Sequence, residues 1–290
     1  MNGRFGLGCA DLLRLSRARD RRHLLEAGLE AGIRHYDVAP MYGLGLAERE
    51  VGRFAQGRRD KIVIATKFGI TPTRSARLLA PVQAPLQRLA GLRRPRDPRL
   101  GASGSALYHT SYDVASARRS LEDSLHALHT DYVDFLFVHD PPAATVLPDE
   151  LIDYLEAAKT EGTIRAWGVA GAEAASVGAH APVVQLPGDA FSRPKPNPAQ
   201  TTIFYGVIRR ALPRVLSHIF AHPSRRRRWS DKVGADCGDP SVLARLLLHE
   251  AADATRSGLV LVSTTHADRI APLVAPTGVA AFRKLLAEVE

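Results

Sequence analysis

The chain is poor in cysteine, tryptophan and methionine, with two of each among 290 residues. Cys9 and Cys237 lie far apart, which argues against a disulfide framework and a zinc cluster, because both need several cysteines at short spacings. A reducing compartment suits such a chain. Long apolar runs are missing too: no stretch approaches the ~20 residues that a membrane-crossing helix needs. The opening MNGRFGLGCADLLRL has neither the apolar segment nor the small-residue cleavage site of a secretory signal. We therefore expect a cytoplasmic protein with no membrane partner.

Lysine is also scarce. Of 39 basic residues 33 are Arg, and the formal net charge is +9. Such a surplus suits nucleic-acid or phosphate partners, but genomic base composition can produce it as readily. No RNA- or DNA-binding motif with interleaved aromatics accompanies it, so no nucleic-acid partner is expected. The charge is uneven, with seven Arg against the single Asp97 between residues 71 and 100. Pro72, Pro81, Pro85, Pro95 and Pro98 fall in the same region and prevent long regular structure from Phe68 to Ser111. We read 68–111 as one insertion, either a cover for an active-site mouth or a solvated excursion. Its pieces SARLLA and PLQRLAGL have the pattern of short helical turns.

Elsewhere strand and helix alternate. Arg19 to Ala31 carries apolar residues at Leu24, Leu25, Ala27, Leu29 and Ala31, a helical pattern closed by Gly32. Further helices are expected over Ala47–Phe54, Tyr112–Leu128, Asp149–Glu161, Val207–Ser217, Pro240–Thr255, Asp268–Val274 and Val279–Glu290. Short apolar runs near Phe5, His35, Val63, Phe135, Trp167, Val184, Ile203 and Val260 read as strands. Eight strands separated by helices imply an α/β fold, a (β/α)8 TIM barrel filling residues 1–290 as a single domain.

Three polar groups sit where buried strands should end. Asp37 closes IRHYD, Tyr42 follows in a Pro/Gly-rich loop, and Lys67 closes IVIATK. In parallel barrels functional groups collect at the carboxyl ends of the strands. A free phenol titrates near pH ~10, and an ammonium beside it, itself held by a carboxylate, favours the phenolate and makes the phenol a usable acid.

The segments DVAPMYG, AEREVG and IATK resemble the aldo-keto reductase signature, and the resemblance runs through nearly the whole chain. VDFLFVHDP resembles the family's fourth strand, so the implied catalytic set is Asp37, Tyr42, Lys67 and His139. The implied reaction is hydride transfer between a nicotinamide and a carbonyl or alcohol of a small aldehyde, ketone or sugar, without a metal. Tyr42 would supply the proton, Lys67 stabilise its conjugate base, Asp37 hold Lys67, and neutral His139 orient the carbonyl.

The chain has no Rossmann glycine fingerprint between a strand and a helix. By resemblance, the cofactor contacts are Asp37, Gln185 for the carboxamide, Tyr205 as a stacking aromatic, and Ser263 and Thr264 for phosphate. Arg269 would meet a ribose 2'-phosphate, so NADPH (NADP+) is expected, with NADH possible. Some features depart from the family. Gly168, Val169, Ala170 and Gly171 stand where Gly-Val-Ser-Asn is usual, and Ser263 stands where many members have Lys. There is no room before Phe5 for the hairpin that often precedes the first strand. Arg225 to Arg228 fall in a connection read as a loop, either covering the cofactor or solvated. An alternative is a nicotinamide-binding barrel that serves as a sensor or regulator with little turnover. Which substrate the site takes is not written in these patterns.

Overall fold

The computed structural model describes residues 3–78, 107–255 and 257–289. In chain order the strands are β1 (Phe5–Gly8), β2 (His35–Asp37), β3 (Val63–Phe68), β4 (Ile70–Pro72), β5 (Tyr108–Thr110), β6 (Val133–His139), β7 (Ile164–Ala170), β8 (Val183–Pro187), β9 (Thr201–Tyr205) and β10 (Leu259–Val262). All except β4 and β5 close into one parallel barrel in the order β1-β10-β9-β8-β7-β6-β3-β2. Its seam is β1, where Phe5 pairs with Val260 and Gly6 with His35. These are the eight strands expected from the sequence. Most are short apolar runs largely buried on both faces, as parallel strands wrapped by helices must be.

Alternation along each strand sorts the side chains. Ala65, Phe137, Ala170, Val183, Ile203 and Leu261 form a cluster inside the barrel. Ile64, Leu136, Val138, Trp167, Val169, Val184 and Val260 face outward, into a larger core beneath the helices. Since the strand period is two residues, Lys67, His139, Gln185 and Tyr205 lie one inward position above Ala65, Phe137, Val183 and Ile203. The same step beyond Leu261 reaches Ser263. The polar strand ends thus form one layer over an apolar floor.

The helices are α1 (Ala18–Glu30), α2 (Leu46–Ala55), α3 (Val114–Leu128), α4 (Asp149–Glu161), α5 (Ala174–Val177), α6 (Val207–Phe220), α7 (Pro223–Val233), α8 (Pro240–Ala254), α9 (Ile270–Val274) and α10 (Ala280–Leu286). Local chemistry sets several ends. Asp113 accepts from the Ser116 amide at 2.7 Å to start α3, Asp239 caps α8 with Pro240 in its first turn, and Gly162 ends α4 in the left-handed region.

The helical ring is uneven. A single turn, α5, separates β7 from β8, and the connection 188–200 between β8 and β9 contains no helix. In that connection Arg193 covers the Phe204 ring and pairs with Glu250 of α8. The next crossover carries α6, α7 and α8 instead of one helix. Arg225–Arg228 therefore lie in α7, not in a loop. Pro223 opens this helix, and Trp229, fully buried, locks it onto Phe282 of α10. Arg228 pairs with Glu288 and Arg226 with Asp236.

The base of the 68–111 insertion is an antiparallel pair, with Ile70 opposite Thr110 and Pro72 opposite Tyr108. Within SARLLA, residues 75–78 are helical, while PLQRLAGL lies outside the described residues. Among the described residues no helix is long and apolar enough to cross a membrane.

Candidate active site

Asp37 and Lys67 end adjacent strands, and the β2–β3 register, Asp37 opposite Ala65, brings them side by side. Lys67 Nζ donates to Asp37 Oδ1 at 2.6 Å and to the Val38 carbonyl at 2.9 Å. Both side chains are almost fully buried, at 2% and 3% exposure. A buried pair of this kind persists only when its remaining lone pairs and protons are also satisfied. Gln185, across the barrel on β8, supplies one such contact by donating from Nε2 to Asp37 Oδ2 at 2.9 Å. Its own Oε1 is buried and has no hydrogen-bond partner among the described residues.

Tyr42 enters from the loop after β2. Gly43, Leu44 and Gly45 all have positive φ, which turns the chain sharply and returns it to the barrel mouth before α2 begins. Lys67 Nζ lies 5.1 Å from the Tyr42 ring centroid, and the His139 ring meets that ring edge-on at 5.9 Å. The four expected catalytic residues are thus gathered in one place. The expected depression of the phenol is absent. Burial, then the carboxylate of Asp37, push the Tyr42 hydroxyl well above its ordinary pKa. Lys67 approaches the ring face and spends its charge on Asp37, so Tyr42 holds its proton throughout the neutral range.

The cofactor candidates divide. Gln185 belongs to the central cluster, and Tyr205 packs beside the interior core at the end of β9. Ser263 leans over the end of β1, where a Cβ on Gly8 would lie 2.5 Å from its hydroxyl oxygen. Thr264 accepts from the His266 amide at 3.0 Å, and Arg269 ends the following 3-10 turn, exposed. Neither of these last two makes a hydrogen bond or ion pair with the central cluster among the described residues.

Three residues of the mouth went unnoticed in the sequence. Asp140 follows His139 with φ +53, and its Oδ1 occupies the space a side chain at Gly171 would need, 2.6 Å from that Cβ. The departure at Gly171 and the presence of Asp140 are therefore linked. Tyr108 opens β5 and Tyr112 follows its end; Tyr108 donates to the Met41 carbonyl at 3.4 Å. No motif marks either tyrosine. Among the described residues no group of three or more His, Cys, Asp or Glu is placed to hold a metal ion.

Comparison with known proteins bears on the family and the fold. The model of the Aldo/keto reductase family matches residues 4–184. A D-threo-aldose 1-dehydrogenase from a Pseudomonas species is 34% identical over 175 residues, 57% of this chain and 48% of that protein. A pyridoxal 4-dehydrogenase from Microbacterium luteolum is 38% identical over 146 residues, 47% and 39% of the two chains. The matched segments span about half or less of these curated relatives. Among solved structures, an aldo/keto reductase from Klebsiella pneumoniae in complex with NADP and acetate superposes with a TM-score of 0.64 at 19% identity, covering 98% of this chain and 90% of its own. At that identity the likeness concerns the fold. With the family model spanning the segments that carry Asp37, Tyr42, Lys67 and His139, the chain belongs to the aldo/keto reductase family.

Proposed function

We propose that the protein is an NAD(P)H-dependent oxidoreductase that interconverts the carbonyl and alcohol of a small aldehyde, ketone or sugar. The observation that carries this reading is the buried constellation itself: a phenol that keeps its proton, flanked by an imidazole and by an ammonium already neutralised by a carboxylate. Gln185 Oε1, a buried acceptor without a partner among the described residues, fits the amide of a nicotinamide, and Tyr205 offers a face for its ring. Ser263 and Thr264 would meet the phosphates, Arg269 a 2'-phosphate. The nicotinamide, when bound, supplies or accepts the hydride.

The protein's own residues do the remaining work. As negative charge grows on the carbonyl oxygen, Tyr42 donates its proton there. His139, packed against the edge of that ring, holds the same oxygen by a hydrogen bond. Lys67, 5.1 Å from the ring centroid, is the cation set beside the resulting phenolate, and Asp37 with Gln185 keeps it in place. A preference for NADPH rests on Arg269, whose guanidinium matches a phosphate by geometry and charge. The loss of Ser-Asn side chains at Ala170-Gly171 favours the second reading, a barrel that binds nicotinamide and turns over little.

A screen of aldehydes, ketones and aldoses, following absorbance of the reduced nicotinamide, separates the two readings. Tyr42→Phe keeps the ring and removes the donor; turnover should fall by on the order of 10²- to 10⁴-fold, with cofactor affinity near wild type. Near-wild-type turnover by Tyr42→Phe would end the proton-donor assignment. Cofactor binding with no turnover across the screen would favour the sensor. For the cofactor, Arg269→Ala should weaken NADPH more than NADH in direct binding; equal loss refutes the 2'-phosphate contact.

A further inference from the structure

The insertion after β3 returns to the barrel at a short stretch, Thr110-Ser111-Tyr112-Asp113, that touches the ends of two catalytic strands. The Ser111 amide donates to the Gly69 carbonyl at 2.9 Å, two residues beyond Lys67. Gly69 has φ +109, and a Cβ there would lie 2.4 Å from Cε1 of Tyr112, so the Tyr112 ring lies directly on the backbone at the end of β3. From that seat its hydroxyl reaches the end of β6. It lies 3.1 Å from the His139 carbonyl and 3.1 Å from the Asp140 carbonyl.

Those two carbonyls bracket a backbone that needs support. Asp140 is a non-glycine residue at φ +53, a left-handed conformation that side chains tolerate poorly and that surrounding contacts must maintain. The turn it makes sets the direction in which β6 leaves the barrel, and thereby the seat of His139 against Tyr42. One phenol that accommodates both carbonyls is suited to hold this corner. The ring bridges the strand carrying Lys67 and the strand carrying His139.

From this geometry we infer that Tyr112 is a positioning residue for His139, and that its hydroxyl, not its ring alone, keeps the imidazole in register with Tyr42. The inference rests on the role proposed above for His139. It extends the reaction machinery to a residue outside the signature segments, at the point where the 68–111 segment rejoins the barrel. The β4–β5 pair then acts as a clasp, since Tyr108, which opens β5, bonds the Met41 carbonyl beside Tyr42.

Tyr112→Phe is the direct test, because it retains the ring over Gly69 and removes only the hydroxyl. The ring-nitrogen NMR signals of His139, assigned by their loss in His139→Asn, should move or broaden in Tyr112→Phe, while those of His35 and His249 stay in place. On a carbonyl substrate found in the screen, turnover should fall about 10-fold with KM for the cofactor unchanged. In the His139→Asn background the same substitution should cost nothing further, because the residue through which it acts is gone. Unmoved His139 signals in Tyr112→Phe overturn the inference, as does a loss of the same size in both backgrounds. If His139→Asn itself turns over like wild type, the proposed role of His139 fails and the inference falls with it; an impaired His139→Asn beside an unimpaired Tyr112→Phe removes the inference alone.

Discussion

At the scale of single residues the Asp37–Lys67 pair decides most of the site's energetics. Each charge has the other at 2.6 Å and almost no water. Removing one partner of such a pair costs about 3–5 kcal/mol because the survivor is left buried and unmatched, whereas removing both is often close to neutral. Lys67→Met and Asp37→Asn should therefore each lower stability by that order, and the double variant should be more stable than either single one. Urea denaturation of the four proteins closes the cycle; additive losses would show that the two charges do not depend on each other.

Among the elements, α2 packs closely on both of its neighbours. It follows the Tyr42 loop, and Glu48 in its first turn accepts from the Thr66 hydroxyl at 2.7 Å, on the residue beside Lys67. Burial raises the Glu48 carboxyl above its usual range despite that bond. One turn later Gly52 lies against α3, where an added Cβ would meet the Ala127 carbonyl oxygen and the Leu128 backbone at 2.7 Å. Helix propensity favours Ala over Gly by about 1 kcal/mol, but overpacking against backbone that cannot rotate away costs about 1–3 kcal/mol. The second effect should win. Gly52→Ala is expected to lower the denaturation midpoint, and a rise would mean that α2 and α3 separate easily.

For the whole molecule, acid should be more damaging than the net charge suggests. His35 lies inside the barrel against Phe135, and burial lowers its pKa to about 4. His249, edge-on to Phe5, is lowered for the same first reason. An imidazole whose folded pKa lies below its unfolded value contributes stability that is complete above the unfolded pKa, near ~6.5, and is lost as pH falls toward the folded one. His35 alone is expected to remove about 3 kcal/mol between pH ~6.5 and ~4. Unfolding free energies measured across that window should slope downward toward acid. His35→Gln should flatten the slope, and an unchanged slope would remove His35 as its source.

The alternation of short apolar runs with amphipathic helices, the polar residue closing each of several strands, and the Pro-rich break were properties of the sequence alone. Local pattern determines them, since a period of two or 3.6 residues and the disruption of long regular structure by repeated proline act between neighbours. Closure of the barrel turned those strand ends into one layer, and only then did Gln185 meet Asp37 across 148 positions of chain. The tertiary structure alone decided the helical state of Arg225–Arg228, because a buried Trp229 against Phe282 outweighs the repulsion of four adjacent cations. It also decided the protonation of Tyr42, because desolvation depends on everything packed around the phenol and outweighs the one ammonium that the sequence places nearby. The seat of Tyr112 on His139 and Asp140 belongs to the same class: it joins segments that no spacing connects, and it exists because the insertion returns to the barrel between two strand ends.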